Sequence, residues 1–369
     1  MKKTLQKYIV PFLFVIMGAV GGIIISRVTD ELTGLSFPAA LAVGLILFGI
    51  SFYIHIIIHE GGHCIFGLLS GYHFVSFRVG SLMWIRTSEG IRRKKYSLAG
   101  TGGQCLMEPP GDIDDPLPVV LYNMGGVIVN LAAAALFCLL SLLCKGNAYL
   151  HVFCNLMIVC GIGLALTNGI PLRGLVNNDG SNTLELISNP AAKRAFWISM
   201  KVNAKISDGI SIGDLPEEWF VMPDPKDYDN SLISYIPYAK NDRLVTQGRY
   251  DEAAELRKHI LAKVTGLPGI YRTLLQSEDI FYELSHENRA EVINRIYTAE
   301  FAKTVKTMHS LPPILRMECL KAKIHDRDEA KFTKNMAEYE KLLKEYPYVT
   351  EGENDRRILM DALSQIEAH

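Results

Sequence analysis

His59-Glu60-Gly61-Gly62-His63 sets two histidines four residues apart, with a glutamate beside the first. On a helix, positions i and i+4 share a face, so both imidazoles can reach one zinc ion while the adjacent carboxylate reaches the attacking water. Zinc lowers the pKa of such a water toward about 7, and the carboxylate can take its proton and later pass it to a leaving amine. This is the chemistry of peptide-bond hydrolysis. A hydrolytic zinc takes three protein ligands and keeps a fourth position open, so one more ligand must come from elsewhere in the chain.

The surroundings sharpen the motif. It lies in "HIIIHEGGHC", His55 to Cys64, within one of the most apolar parts of the chain. Ionisable groups at membrane depth are costly and are retained where they serve a site. His55 sits one turn before His59 on the same face, about 6 Å along the axis, too far to join the ligands. It either lines a pore, supports the ligands from behind, or hydrogen-bonds the backbone of another span.

The elements that position these residues read as membrane helices. From Met1 to about Ile170 charges are scarce, and from about Asp179 onward they appear at ordinary soluble density, which divides the chain into a membrane half and a soluble half. Four apolar segments are long enough to cross a bilayer core of about 30 Å: Tyr8 to Ser26, Phe37 to about Ile58, Leu117 to Cys144, and Tyr149 to Ile170. The first stays apolar past the length of a signal-peptide core and reads as an uncleaved anchor.

Orientation follows from the basic residues flanking the spans. Lys2, Lys3 and Lys7 flank the first, and Arg78, Arg86, Arg92, Arg93, Lys94 and Lys95 lie between the second and third, whereas the opposite loops hold little more than Arg27 and Lys145. Both termini are therefore expected on the cytoplasmic face of a multi-pass protein in a bacterial cell membrane. His59, Glu60 and His63 then fall at the cytoplasmic end of the second span, on a helix that continues to about Leu69 before Gly71 stops it. The fourth span returns to that level, where Asp179 is the nearest acidic residue and so the expected third ligand. Neighbouring Asn177 and Asn178 carry no charge to offset Zn²⁺.

Tyr122, Asn123 and Asn130 form the polar side of the third span, the first two reading as hydrogen-bonding glue between helices. Between Gly71 and Pro116, "HFVSFRVGSLMWIRT" and "KYSLAGTGGQCLM" predict a β-rich insertion over about residues 72–110, too short and polar to span. Its Gly100-to-Gly103 run is either a loop or backbone approached closely by another chain.

Three stretches together resemble the site-2 protease family of intramembrane zinc metalloproteases, over roughly the first half of the chain. They are His59 to His63, then "GGVIVN" from Gly125 to Asn130, with Val127 where the family has proline, and Asn168-Gly169-Ile170-Pro171 followed by Asn178-Asp179-Gly180. The resemblance implies one Zn²⁺ held by His59, His63 and Asp179, Glu60 as general base, and Asn130 steadying the substrate or intermediate. Asn168, with His55, is a candidate for contacts behind the ligands. In place of the missing proline, Gly125 and Gly126 could relax the helix near Asn130. The insertion is similar to the family's membrane-associated β element, which would take an unwound substrate as an added strand, with the Gly100–Gly103 segment as the candidate edge.

After Gly180, "SNTLELISNPAAKRAFWISMKVNAKISDGI" reads as two amphipathic helices divided at Asn189-Pro190, followed by a proline- and acid-rich linker from Leu215 to Asn230. Residues 231–369 read as an all-α cytoplasmic domain. "QGRYDEAAELRKHIL", Gln247 to Leu261, resembles the second half of a tetratricopeptide repeat, and Ala337 to Pro347 has similar ending character. Such a domain either caps the membrane part or docks a substrate or protein partner.

A net charge of −1 and the absence of a basic stripe argue against a nucleic-acid partner. None of the seven cysteines forms a C-x-x-C pair. The expected fold is thus a polytopic α-helical membrane protein of four spans, with a short β insertion and a helical C-terminal domain. The expected activity is zinc-dependent endoproteolysis within or beside a transmembrane segment, or in a hydrophobic leader or precursor peptide. The alternatives are a catalytically silent membrane scaffold with a helical docking domain and a zinc transporter.

Overall fold

The computed structural model describes residues 3–29, 35–87, 89–98, 101–172 and 177–367. They form two compact units, Met1–Phe74 with Gly102–Lys193, and Val75–Thr101 with Arg194–His369.

The first unit is built on four apolar helices. α1 (Lys3–Thr29) contains the apolar stretch Phe14–Ile24, and α2 (Phe37–Leu69), α3 (Val119–Leu143) and α4 (Ala148–Gly169) are each long and apolar enough to cross a membrane. Proline in the first turn of α2 suits a position whose N–H has no intrahelical partner. α2 runs beyond the apolar span to Leu69 and stops where Gly71 turns left-handed at φ +85°. That extra length carries the histidine pair on a continuous helix.

α3 is helical without interruption through Gly125, Gly126, Val127 and Asn130, so the backbone relaxation expected at the two glycines does not occur. Without proline at Val127, every residue there keeps its N–H for the helical ladder. The glycines are used for close packing instead. A Cβ on Gly62 of α2 would meet Gly125 O of α3 at 2.4 Å.

α4 begins under an Asn147 cap, which accepts from Leu150 N, and ends at Gly169 just ahead of Pro171. The spacer residues 173–176 lie outside the described residues. α5 (Asp179–Ser188) follows with Asn178 as its N-cap, and α6 (Pro190–Ser207) starts directly after Asn189.

The β insertion forms a four-stranded sheet, β1 (His73–Val79), β2 (Leu82–Thr87), β3 (Gly90–Lys95) and β4 (Gly103–Glu108), in the order β3-β2-β1-β4. β1 pairs antiparallel with β2 in the register Val79↔Leu82, and β2 with β3 in the register Thr87↔Gly90. Gly80 and Gly90 supply the left-handed backbone these tight connections need. β4 is the outer strand on its side, and it packs on α2 through buried Cys105 and Met107. Of the Gly100–Gly103 run, Gly100 lies outside the described residues and the strand starts at Gly103.

The second unit is helical beyond the strands, with α7 (Tyr235–Thr246), α8 (Tyr250–Lys263), α9 (Gly269–Ser285), α10 (Ala290–Ile296), α11 (Ala299–Thr307), α12 (Pro312–Leu320), α13 (Glu329–Glu345) and α14 (Val349–Glu367). Gln247-Gly248-Arg249 makes the turn between paired α7 and α8, with Gly248 at φ +74°. The Leu215–Asn230 stretch takes two 3-10 turns, Glu217–Phe220 and Pro225–Asp227, with Phe220 buried. At the heart of this unit Arg316 is buried between Glu278 and Asp355, its guanidinium 4.5 Å from the centre of the Phe281 ring.

Candidate metal centre

The helical period of α2 places His59 and His63 on one buried face, and the start of α5 brings Asp179 to them. The three nitrogen and oxygen atoms converge: His59 Nε2 to His63 Nε2 is 3.2 Å, His59 Nε2 to Asp179 Oδ2 is 3.1 Å, and His63 Nε2 to Asp179 Oδ2 is 3.4 Å. These residues form a group that could hold a metal ion. A tetrahedral zinc with bonds of about 2.0–2.1 Å sets its ligand atoms about 3.3 Å apart, so the observed triangle needs little adjustment. Asp179 Oδ2 is buried against the two imidazole nitrogens, and a cation seated among the three would bind the lone pair that each turns inward.

Asp179 is placed by its neighbour. Asn178 caps α5 by accepting from Ser181 N at 3.0 Å, accepts from Leu172 N at 3.2 Å, and donates to the Thr167 and Ile170 carbonyls at 2.8 and 2.6 Å. One amide thus ties the first turn of α5 to the end of α4. Gly180 allows the approach, since a Cβ there would meet Gly169 O at 2.2 Å.

Each histidine is held from behind. His63 Nδ1 is 2.8 Å from the Tyr122 carbonyl, and a carbonyl only accepts, so the proton sits on Nδ1 and the Nε2 lone pair is free for a metal. The Tyr122 side chain extends this support. Its hydroxyl donates to the Cys105 carbonyl of β4 at 3.0 Å, and its ring stacks on Tyr72 with centroids 4.8 Å apart. His59 Nδ1 is 3.1 Å from the Asn130 amide, whose other end is 3.0 Å from His55 Nδ1. The flat face α3 offers at Gly126 seats the His59 ring, because a Cβ there would lie 2.5 Å from His59 Cε1.

Glu60 lies on the same turn, partly exposed, beside the first residue of β4. A Cβ on Gly103 would come 2.6 Å from Glu60 Cγ and 2.7 Å from Oε1. Any larger residue at 103 would make the Glu60 side chain shift from this position.

Asn168 is hydrogen-bonded within its own helix. Its amide donates to the Leu164 carbonyl of its own helix at 2.9 Å, as Asn123 does to Val119 at 2.7 Å. His151, the other histidine of the apolar helices, bonds Ser141 at 3.1 Å. Sequence reasoning missed the contributions of Gly62, Gly103 and the Tyr122 carbonyl. Gly62, set between the two histidines, was the available signal, since small residues mark where helices touch. The chain matches no protein-family profile, no curated protein and no solved structure.

Proposed function

We propose that the chain is an intramembrane zinc endopeptidase of the site-2 protease type, cutting a peptide bond within or beside a hydrophobic helix at the cytoplasmic side of the membrane. The observation that carries this reading is the convergence of His59 Nε2, His63 Nε2 and Asp179 Oδ2, with Glu60 on the same helical turn as His59.

His59, His63 and Asp179 would hold the ion, and two imidazoles with one carboxylate suit zinc with a fourth position left open. When bound it supplies Lewis acidity toward the scissile carbonyl and acidity to the attacking water. Glu60 takes the proton from that water and returns it to the departing nitrogen. β4, an outer strand whose first residue adjoins Glu60, is suited to pair with an extended substrate, satisfying backbone groups that unwinding exposes. The four apolar helices are all taken to span, with both termini cytoplasmic.

Glu60→Gln tests the proposal. Membrane proteomes of cells carrying the native chain or the variant are compared for a fragment that disappears, and zinc is measured on both purified proteins. Zinc is expected to persist while cleavage falls about 10²–10⁴-fold. Cleavage that survives the change overturns the mechanism.

A further inference from the structure

The expectation that Asn130 steadies the substrate meets a geometric obstacle. Its side chain is fully buried on α3, with both ends of the amide engaged by histidines of α2: one end at 3.1 Å from His59 Nδ1 and the other at 3.0 Å from His55 Nδ1. It stands behind His59, on the side away from Asp179.

Resting on the metal-centre reading above, we propose that His55 and Asn130 form a positioning relay that sets the tautomer and ring orientation of His59 toward the ion. Donor logic assigns its direction. As the amide stands, its nitrogen faces His59 Nδ1 and its oxygen faces His55 Nδ1. A neutral imidazole that binds through Nε2 carries its proton on Nδ1, so metal binding calls for the amide turned over, its oxygen accepting from His59 Nδ1–H. The amide nitrogen then points to His55 and donates to Nδ1. This places the His55 proton on Nε2, which is buried with the Met157 backbone of α4 as its neighbour. His59 then donates to Asn130 and Asn130 to His55, in one sense along the chain, and none of the groups needs a net charge.

The packing supports a built device over a chance contact. His55 is wholly buried, and a Cβ on Gly161 of α4 would lie 2.7 Å from its Cε1. Gly126 does the same for His59 on α3. Each ring is therefore seated on backbone, His59 on α3 and His55 on α4, with Asn130 between them. The relay accounts for a third histidine that cannot itself reach the ion, and it makes the aim of one ligand depend on the fit of three helices.

The test uses the full chain in detergent, loaded with Co²⁺ in place of zinc, with metal affinity read by competition with a chelating dye and ligand geometry by the visible ligand-field bands. His55→Leu and Asn130→Leu are expected to lower affinity about 10–100-fold and to shift the bands. His55→Gln, which can still hydrogen-bond Asn130, is expected to recover most of the loss, and Asn130→Asp, an acceptor for His59, to retain affinity. A merely structural loss would lower the melting temperature without separating Gln from Leu at position 55, and that result overturns the relay. So do native affinity and native bands in both leucine variants. If the native chain itself takes up no stoichiometric metal, the metal-centre reading fails, and that outcome is distinct from the relay's failure.

Discussion

Gly62 of α2 and Gly125 of α3 meet backbone to backbone: a Cβ on Gly62 would lie 2.4 Å from Gly125 O, and one on Gly125 would lie 2.5 Å from Gly62 O. The contact falls between His59 and His63, so the distance between these helices sets where α3 can support both rings. Gly62→Ala or Gly125→Ala must push the helices apart, since backbone on both sides cannot yield as a flexible side chain can. Overpacking of this kind costs about 1–3 kcal/mol. Each variant is expected to stay helical by circular dichroism and to bind zinc at least about tenfold more weakly. Native zinc affinity in both would show that the contact does not position the site.

Asn178 and Asp179 should separate placement from ligation. Asp179→Asn removes the charge that offsets the cation, and zinc content of the purified protein is expected to fall to near background. Asn178→Ala leaves every proposed ligand intact but removes a helix cap worth about 1 kcal/mol, together with two bonds to the end of α4. Zinc affinity in a chelator titration is expected to drop about tenfold, with the metal still binding at saturation. If Asp179→Asn binds normally, the third ligand is another residue.

Gly103→Ala probes the space around Glu60 without touching the ligands. Its Cβ would lie 2.6 Å from Glu60 Cγ, so the carboxylate must move. Cleavage of a membrane substrate is expected to slow about 10–100-fold, since displacements of about an ångström carry penalties of this size. Zinc affinity should be unchanged. A loss of zinc would place Gly103 among the residues that support the metal instead.

The helical unit should lose stability as pH rises. Burial pushes the Asp355 carboxyl up to about 6 against the pull of Arg316, and burial likewise raises Asp242 and Glu351. A carboxyl whose folded pKa lies above its unfolded value contributes stability that is fully present below about pH 4 and is lost as pH rises through the folded value. Carboxylates held below their ordinary range, such as Glu283 and Asp326, change protonation mostly below about pH 5 and so offset little of this loss above it. The melting temperature of the unit is expected to fall by several degrees between pH 5 and pH 8, a loss on the order of 2 kcal/mol. Asp242→Asn should flatten this slope by raising the melting temperature at pH 8 more than at pH 5. An equal effect at both pH values would contradict it.

The parts of the site legible in the chain were those set by local periodicity. His59 and His63 share a face because they lie four residues apart on a helix, and α2 ends at Leu69 because Gly71 takes a left-handed turn. The β insertion, the stop at Pro171, the break at Asn189-Pro190 and the helical turn at Gln247-Gly248 follow from equally local chemistry. Asp179 was reachable through topology, because a returning helix had to bring an acid to the same level.

Other features depend on which helices touch and at what rotation, and spacing along one chain does not encode that. The third-span glycines read as a point of backbone relaxation, yet α3 is continuous and uses them to admit α2 and the His59 ring. Asn130 read as a residue facing the substrate, and its placement behind His59 follows only from the rotation of α3 against α2. By itself the sequence determined the residue types of the candidate metal group, the helix that carries two of them, and the β segment that follows it, because these rest on hydrogen bonds and side-chain periods within a few residues. Only the tertiary structure decided the 3.1–3.4 Å meeting of Asp179 with both histidines, the Gly103 contact with Glu60, and the brace from Tyr122 to His63. Those depend on close packing between distant segments, where a single Cβ is enough to change the answer.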